Sequence, residues 1–302
     1  MLYPLQFSPR LKERLWGSES WEISAVEGDV SVAANGFLKG NSLAELVEVY
    51  MGDLVGDKVF ARFGEEFPLL IKFIDARERL SVQVHPGDEL AAARHNAFGK
   101  TEMWVIMSAE PGARLFIGFK PGVTREAYIA AVADGSVGEL LNEIPVASGD
   151  AFFIPAGTVH AIGEGITLAE VQQTSDITYR IFDWNRVDDA GRPREMHTEL
   201  ALDAIDFAAP VRSVGRRPKA GETAELVASP HFTTNVVDVA GRAEISLAAR
   251  DSFSIYICTA GEVTLRTAGG EVTLRADSVA LIPAEADEIV MEGSATLLET
   301  YL

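Results

Sequence analysis

Apolar and polar residues alternate in short segments through much of the chain between residues 67 and 184. A period of two, with many β-branched and aromatic residues, is typical of strands. Glycine, proline and aspartate separate the segments at short intervals, which favours an antiparallel sandwich or barrel. The predicted strands cover residues 67–76, 80–85, 102–107, 113–119, 150–155, 166–173 and 177–184. We therefore expect a mainly β protein.

Helical composition interrupts this pattern at residues 86–98, 124–144 and 197–207. Thr124 precedes the second of these segments, where its side chain can cap the first free backbone N–H groups of a helix. Residues 211–224 are polar, basic and rich in glycine and proline, which is typical of a linker. A few short helices inserted between strands are therefore expected, with a domain boundary near the linker.

Composition excludes several classes of function. The chain has 302 residues and a formal net charge of −19 at pH 7, whereas nucleic acids and anionic membranes require a basic footprint. The single cysteine, Cys258, excludes an internal disulfide and a thiolate zinc cluster, so any metal must be held by nitrogen and oxygen. No apolar run is long enough to cross a bilayer, and no signal-peptide pattern opens the chain. We expect a cytoplasmic protein that binds neither nucleic acid nor membrane.

The segment "LSVQVHP", residues 80–86, places two polar side chains on one face of a short strand. Leu80, Val82 and Val84 point to one side, whereas Ser81, Gln83 and His85 point to the other. A buried amide and imidazole cost free energy unless a partner satisfies them. The pair therefore indicates either an ordinary polar network inside a barrel or a metal site.

Two further residues favour the metal site. His160 ends the segment "GDAFFIPAGTVH", in which a Pro-x-Gly turn presents an imidazole, and Glu102 opens a strand in which Trp104 shares its face. Two imidazoles, one carboxylate and the amide oxygen of Gln83 form a donor set suited to Zn²⁺ or another first-row ion. One carboxylate leaves about one positive charge on the site, which is typical of a Lewis-acid catalyst.

A weak internal repeat predicts two copies of one β unit. Residues 149–160 are similar to 276–287, and residues 103–112 are similar to 254–262. The second copy has no glutamine, histidine or glutamate at the matching ligand positions, so we expect it to bind no metal. The predicted organisation is a metal-binding domain over 1–210, a linker over 211–224 and a barrel without metal over 225–302.

Several segments resemble known families. The spacing G-x5-P-x-G-x2-H from Gly149 to His160 is similar to the second signature of cupin barrels. Four segments together resemble the short, bacterial form of the type I mannose-6-phosphate isomerases: "FPLLIKFIDARERLSVQVHPGDELA", "GKTEMWVIM", "IPAGTVHAIGEGITLAEVQQTSDITYRIFDWNR" and "REMHTELALDAIDF". The similarity covers most of residues 1–207. It implies two cupin-type antiparallel β-barrels (jelly rolls) with a few short helices inserted.

The resemblance also implies an activity, the zinc-dependent interconversion of mannose 6-phosphate and fructose 6-phosphate through an enediol intermediate. By the family's pattern, one zinc ion per chain is bound by Gln83, His85, Glu102 and His160. Arg180 corresponds to the active-site arginine, and Lys100 lies where the family has a lysine beside the metal glutamate. Both are expected to be catalytic and to bind the phosphosugar, and Trp21 is predicted to line the sugar pocket. A monomer or a dimer is expected.

The proton-transferring base stays open at this stage. Lys100 qualifies only if neighbouring positive charge lowers its pKa, because an ammonium cannot accept a proton. Asp176 and Glu170 are the rival carboxylates.

Two other functions also stay open. An iron-dependent cupin oxygenase would use His85, His160 and Glu102 as a facial triad, although Gln83 and the long insertion before Glu102 argue against it. A non-catalytic protein that binds sugar phosphates is the other alternative. The shortened loop "LWGSESWEIS", residues 15–24, leaves room for it because substrate contacts from that loop are in doubt.

Overall fold

The computed structural model describes residues 1–187, 191–215 and 218–302. Its helices are α1 (Leu43–Val55), α2 (Asp57–Phe63), α3 (Asp88–His95), α4 (Arg125–Asp134) and α5 (Thr198–Ala204), and a 3₁₀ turn covers Val137–Leu140. Its strands are β1 (Arg10–Arg14), β2 (Gly17–Ile23), β3 (Leu69–Ala76), β4 (Val82–Val84), β5 (Glu102–Ala109), β6 (Arg114–Phe119), β7 (Leu141–Pro145), β8 (Ala151–Ile154), β9 (His160–Ile162), β10 (Ile166–Gln173), β11 (Tyr179–Phe182), β12 (Arg212–Val214), β13 (Thr223–Ala228), β14 (Thr233–Ser246), β15 (Ser254–Thr267), β16 (Gly270–Arg275), β17 (Ser278–Ile282) and β18 (Glu288–Tyr301).

Helix α4 shows where the helical prediction succeeds and where it is wrong. The Thr124 side chain accepts a hydrogen bond from the backbone N–H of Ala127, which confirms the predicted cap. Gly135 then adopts a left-handed conformation with φ of 80° and ends the helix. The predicted helix over 124–144 is therefore too long, since its last part forms the 3₁₀ turn and β7 instead.

The chain divides into two structural units. The central unit comprises Glu13–Glu19 and Ile74–Ser213, and the terminal unit comprises Met1–Lys12, Ser20–Phe73 and Val214–Leu302. The predicted domain boundaries near residues 210 and 225 stay predictions, and Ser20–Phe73 belongs to the same unit as the C-terminal strands. Strand β12 and the start of β13 lie inside the predicted linker over 211–224, of which residues 216–217 are outside the described residues.

The described strands form three sheets. Their orders are β1-β2-β3-β10-β5-β8-β12, β11-β4-β9-β6-β7 and β13-β14-β18-β15-β16, with β17 paired to β15. The prediction of a mainly β protein is confirmed. These orders are linear, so the sheets are open, and the finer prediction of two closed barrels is not confirmed.

In the central unit, two sheets face each other across an apolar core. Strands β5, β8 and β10 contribute Trp104, Phe152 and Leu168 from one sheet, whereas β6 and β9 contribute Ile117 and Ile162 from the other. All five side chains are buried. Burial of apolar side chains is the main favourable term in folding. The packed core therefore holds the two sheets of the sandwich together.

The opposite face of the five-stranded sheet is covered by helices. Val82 and Val84 of β4 pack in a second apolar cluster with Tyr128 and Ala131 of α4 and Ala201 of α5. This confirms the alternation predicted for Val82 and Val84, which face away from the sandwich core. The polar residues of β4 therefore project between the two sheets. The prediction is wrong for Leu80, which packs in the sandwich core before β4 begins.

Candidate metal centre

The predicted metal ligands converge in the central unit. Gln83 of β4 lies directly opposite His160 of β9 in the five-stranded sheet, so their side chains project to the same face. Glu102 reaches the same place from β5 of the facing sheet. His85, Glu102 and His160 offer ligand atoms that all lie within 4.8 Å of one another, and all three are buried.

Backbone carbonyl groups orient both imidazoles. Nδ1 of His85 lies 2.8 Å from the carbonyl oxygen of Ile177, and Nδ1 of His160 lies 2.8 Å from that of Thr158. Because a carbonyl oxygen only accepts, each Nδ1 carries a proton, and in the neutral imidazole Nε2 then keeps its lone pair. The lone pairs face the carboxylate, since Nε2 of His85 and Nε2 of His160 lie 3.6 and 3.3 Å from oxygens of Glu102.

Electrostatics keep His160 neutral. Burial lowers its pKa to about 4, and the positive charge of Lys100 contributes to the lowering, although the Thr158 carbonyl opposes it. A neutral imidazole with a bound Nδ1 proton is the form that ligates metals. Gln83 donates its amide N–H to Nε2 of His160 over 3.2 Å, so its role as a fourth ligand stays a prediction.

Tight turns bring the loops around the centre together. The backbone N–H of Gly157 donates to the carbonyl of His85, and the backbone N–H of Lys100 donates to the carbonyl of Pro86. A Cβ on Gly99 would lie 2.6 Å from the backbone nitrogen of Asp88, which explains the glycine before Lys100. These close approaches place Lys100 beside the histidine strand.

Lys100 is buried within this cluster. Its Nζ lies 2.9 Å from Oε2 of Glu102 and 3.0 Å from Nε2 of His85. Burial disfavours the ammonium, but the carboxylates of Glu102 and Glu170 outweigh burial and raise the pKa of Lys100 above its ordinary value. The ammonium form is therefore favoured in this arrangement, which does not fit the role of a neutral base.

Glu170 is a second buried carboxylate beside the centre. It lies on β10 directly opposite Trp104 of β5, and its Oε2 accepts a hydrogen bond of 2.8 Å from the indole N–H. The Trp104 ring in turn packs edge-on against the ring of His160 at 5.2 Å. Asp176, the rival carboxylate, is exposed on the surface.

Arg180 lies on the face of the sheet that carries the centre. It is directly opposite Gln83 across β11 and β4, and its guanidinium donates to Oγ of Ser81 and to the carbonyl of Glu195, each over 3.1 Å. The predicted face of Arg180 is therefore consistent with the register.

Trp21 belongs to the terminal unit, where its buried ring contacts Nζ of Lys12 at 3.7 Å and Nζ of Lys72 at 4.9 Å.

The donor set suits a first-row metal ion. It offers two neutral imidazole nitrogens, a carboxylate and a neighbouring amide, with the outer nitrogens of the imidazoles held by carbonyl groups. Such outer contacts are the usual means of orienting metal-binding histidines. The open sandwich and this buried centre define a cupin-type protein with a candidate catalytic metal site.

Known proteins identify the family. A family model described as phosphomannose isomerase type I, catalytic domain, matches residues 6–103, and one described as mannose-6-phosphate isomerase, cupin domain, matches residues 222–302. The chain is 34% identical over 284 residues to the mannose-6-phosphate isomerase of Streptococcus mutans, with 88% of each chain covered. It is 33% identical over 322 residues to ManA of Bacillus subtilis, with 99% of each covered. The chain therefore belongs to the type I mannose-6-phosphate isomerase family and is an enzyme of the isomerase class.

A solved structure agrees with this assignment. The crystal structure of the mannose 6-phosphate isomerase from Bacillus subtilis has a TM-score of 0.89 and 28% identity, with 100% of both chains covered. The assignment does not support the oxygenase or the non-catalytic binding protein. Among the described residues, no helix is long and apolar enough to cross a membrane.

Sequence reasoning missed some parts of the centre. The carbonyl groups of Thr158 and Ile177 orient the imidazoles, and backbone acceptors leave no signal in side-chain identity. Gln172 was also missed, although it lies directly opposite Glu102. Alternation from Glu170 along β10 is the signal that identifies its face.

Proposed function

We propose that this chain interconverts mannose 6-phosphate and fructose 6-phosphate, with one Zn²⁺ per chain. The ligands are Gln83, His85, Glu102 and His160. The observation that supports the proposal is the convergence of two neutral imidazoles and a buried carboxylate from facing sheets, in a chain whose relatives are named for this reaction. A cytoplasmic location and a monomeric or dimeric state are sequence predictions that accompany it.

The bound metal supplies a Lewis acid that stabilises negative charge on a sugar oxygen. Lys100 and Arg180 supply the cations that an acidic protein needs in order to hold a phosphosugar. Arg180 has a planar guanidinium suited to phosphate or to an enediolate, whereas Lys100 acts as a buried point charge. Trp21 is proposed as a wall of the sugar pocket on the sequence prediction alone.

Glu170 is the base that the surroundings favour. The reaction removes a proton from one carbon of the sugar and returns it to the neighbouring carbon, so a single carboxylate can accept and then donate it. Glu170 is buried beside the centre and oriented by Trp104. The exposure of Asp176 makes it a weaker candidate, and Lys100 qualifies only if the bound metal ion and Arg180 lower its pKa.

A coupled assay tests the proposal. Fructose 6-phosphate formed from mannose 6-phosphate is measured for the protein as purified, after treatment with a chelator, and after addition of Zn²⁺ or Fe²⁺. We expect turnover that the chelator abolishes and that zinc restores. Turnover unaffected by complete metal removal would contradict the metal-dependent mechanism, and no turnover of either sugar phosphate in the zinc-loaded protein would contradict the activity.

A further inference from the structure

Gln172 is a fully buried amide that the proposed mechanism does not use. Its Nε2 donates to the carbonyl groups of Gln173 and Ser175, over 2.8 and 2.6 Å. Both N–H bonds are thus engaged, so the orientation of the amide is determined. Its carbonyl oxygen Oε1 is buried and has no hydrogen-bond partner within the described parts of the chain. Such an acceptor destabilises the folded protein if nothing ever satisfies it.

The position of Gln172 relates it to Lys100. Gln172 lies directly opposite Glu102 and two residues after Glu170, so the three side chains share one face of the sheet. Lys100 bonds to Glu102, and the charge of Glu170 acts on it as well. The ammonium therefore lies beside the two carboxylates that flank Gln172. It has three N–H donors, of which His85 and Glu102 take two.

His85 cannot serve both the lysine and a metal ion. Its Nδ1 is held by the Ile177 carbonyl, so Nε2 is the nitrogen that faces Glu102. That atom has one lone pair, which Lys100 uses here. A cation bound at Nε2 therefore releases one N–H of a buried ammonium, which needs a new acceptor.

We propose that Gln172 is a positioning residue for Lys100, because its carbonyl oxygen accepts the N–H that the ammonium withdraws from His85 when a metal binds. The inference rests on the metal centre of the proposed function. Gln172 thereby reduces the cost of displacing the lysine and keeps its charge beside Glu170. It acts on metal affinity through Lys100 and is not itself a ligand.

A double-mutant cycle tests this inference by zinc titration without substrate. Gln172→Met removes the acceptor, Lys100→Met removes the ammonium, and a third protein carries both changes. We expect Gln172→Met to weaken zinc binding about tenfold in the chain with Lys100, the scale of one hydrogen bond to a charged group. In the Lys100→Met background, the same change should have almost no effect.

The cycle also separates the coupling to Lys100 from a general effect on folding. Gln172→Met loses the hydrogen bonds that Nε2 of Gln172 donates in both backgrounds, so their contribution cancels. If Gln172→Met does not fold, Gln172→Asn shortens the side chain and follows the same criterion. Tyr128→Phe is the matched control. Its hydroxyl is another buried polar atom without a partner in the described residues, and it lies in the helix-covered cluster. Zinc affinity should not change in it.

Equal losses of affinity in both backgrounds would overturn the inference, because Gln172 would then act independently of Lys100. Unchanged zinc affinity together with weaker binding of the sugar phosphate would also overturn it and would assign the acceptor to a substrate hydroxyl. Failure of the wild-type protein to bind zinc would instead contradict the proposed centre. A wild-type protein that binds zinc but lacks isomerase activity leaves the cycle valid.

Discussion

Two cross-strand pairs in different units have the same construction and different chemistry. In the central unit, Trp104 lies opposite Glu170 and donates to it over 2.8 Å. In the terminal unit, Tyr256 lies opposite Glu299 and donates to it over 2.6 Å. Two residues before each aromatic residue, Glu102 is paired with Ile154 and Ser254 is paired with Ile282. These strand pairs correspond in the two units with a shift of one residue from the weak sequence repeat, in which residues 103–112 match residues 254–262.

The two units differ in the residue two positions before the aromatic residue, which is Glu102 in the central unit and Ser254 in the terminal unit. In the terminal unit Arg250 donates to Oγ of Ser254 and to Oε1 of Glu299, and Asn235 donates to Oε2 of Glu299. Both carboxylate oxygens are therefore satisfied by the chain itself. In the central unit, Glu102 pairs with Lys100 over 2.9 Å, and two imidazoles also lie close enough for His85, Glu102 and His160 to ligate a cation together. The same strand geometry supports a closed ionic network in one unit and a candidate metal centre in the other.

The largest effect is expected for His160→Ala. Removing one of the two imidazoles should eliminate most bound zinc and reduce turnover roughly 10³-fold, because the charge stabilisation supplied by the metal is lost. Metal content by mass spectrometry and the coupled assay provide the measurements. His231→Ala, in the terminal unit, is the control and should keep one zinc per chain. A second tightly bound zinc that survives in His160→Ala would show that the comparison between the units is wrong.

Arg250→Met should affect stability and leave the chemistry intact. Glu299 would remain buried without its cation, which costs about 3 kcal/mol in the free energy of unfolding. Denaturant unfolding measures this loss, and zinc content and turnover of the folded protein should not change. The matched control is Arg266→Met on the same sheet. Arg266 forms an exposed pair with Glu271 at 2.9 Å, and the loss there should stay below about 1 kcal/mol. Loss of zinc in Arg250→Met would contradict a purely structural network.

Arg180→Ala should keep its fold and its zinc, because a guanidinium donates hydrogen bonds and is not a metal ligand. Turnover should fall roughly 10²-fold, the scale of one lost donor to developing charge. Arg180→Lys should recover only part, since an ammonium lacks the planar fork. As a control, Arg114→Ala removes an exposed pair with Glu143 in the same unit and should not affect turnover. Near-normal kinetics in zinc-loaded Arg180→Ala would make this arginine structural.

The smallest effect is expected for Glu22, a buried carboxylate of the terminal unit. Its Oε1 accepts a hydrogen bond of 2.5 Å from the Ser20 hydroxyl. Burial raises the pKa of Glu22 to about 7, with Asp277 contributing, although Ser20 opposes the shift. The contribution of Glu22 to the free energy of unfolding is therefore fully present below about pH 4.5. It is lost as the pH rises through about 7, because the buried carboxyl group must then ionise. Glu22→Gln should therefore be more stable than the wild type by roughly 2 kcal/mol at pH 8 and equal to it near pH 4. Melting curves across this range measure the difference. A constant difference at every pH would contradict the raised pKa.

The candidate site was predictable from the sequence to the extent that its residues lie on regular strands. Alternation along β4 and β5 identified the faces of Gln83, His85 and Glu102, and the Pro-x-Gly turn identified His160 as the end of a segment. The contacts of Lys100 were not predictable in the same way. Its pKa depends on two carboxylates from β5 and β10, and only the pairing of those strands places both charges beside it.

The fold shows the same division. The period of two established a mainly β protein, and the repeat indicated two related β units. The extent of α4 was misjudged because the conformation of Gly135, rather than the composition of residues 124–144, ends the helix. Closure of the sheets was misjudged because a strand pattern specifies faces but not which strands meet at an edge.

Local chemistry thus determined the types of donor, their spacing along each strand and the faces on which they lie, since side-chain direction follows from backbone periodicity. Tertiary structure alone decided that Glu102 meets two imidazoles from the facing sheet while Ser254 meets an arginine. It also decided which atoms are buried, and burial sets the protonation of His160 and the demand of Gln172 for a partner. These properties depend on the distance between residues far apart in the chain, because charge and desolvation act through space and not along the sequence.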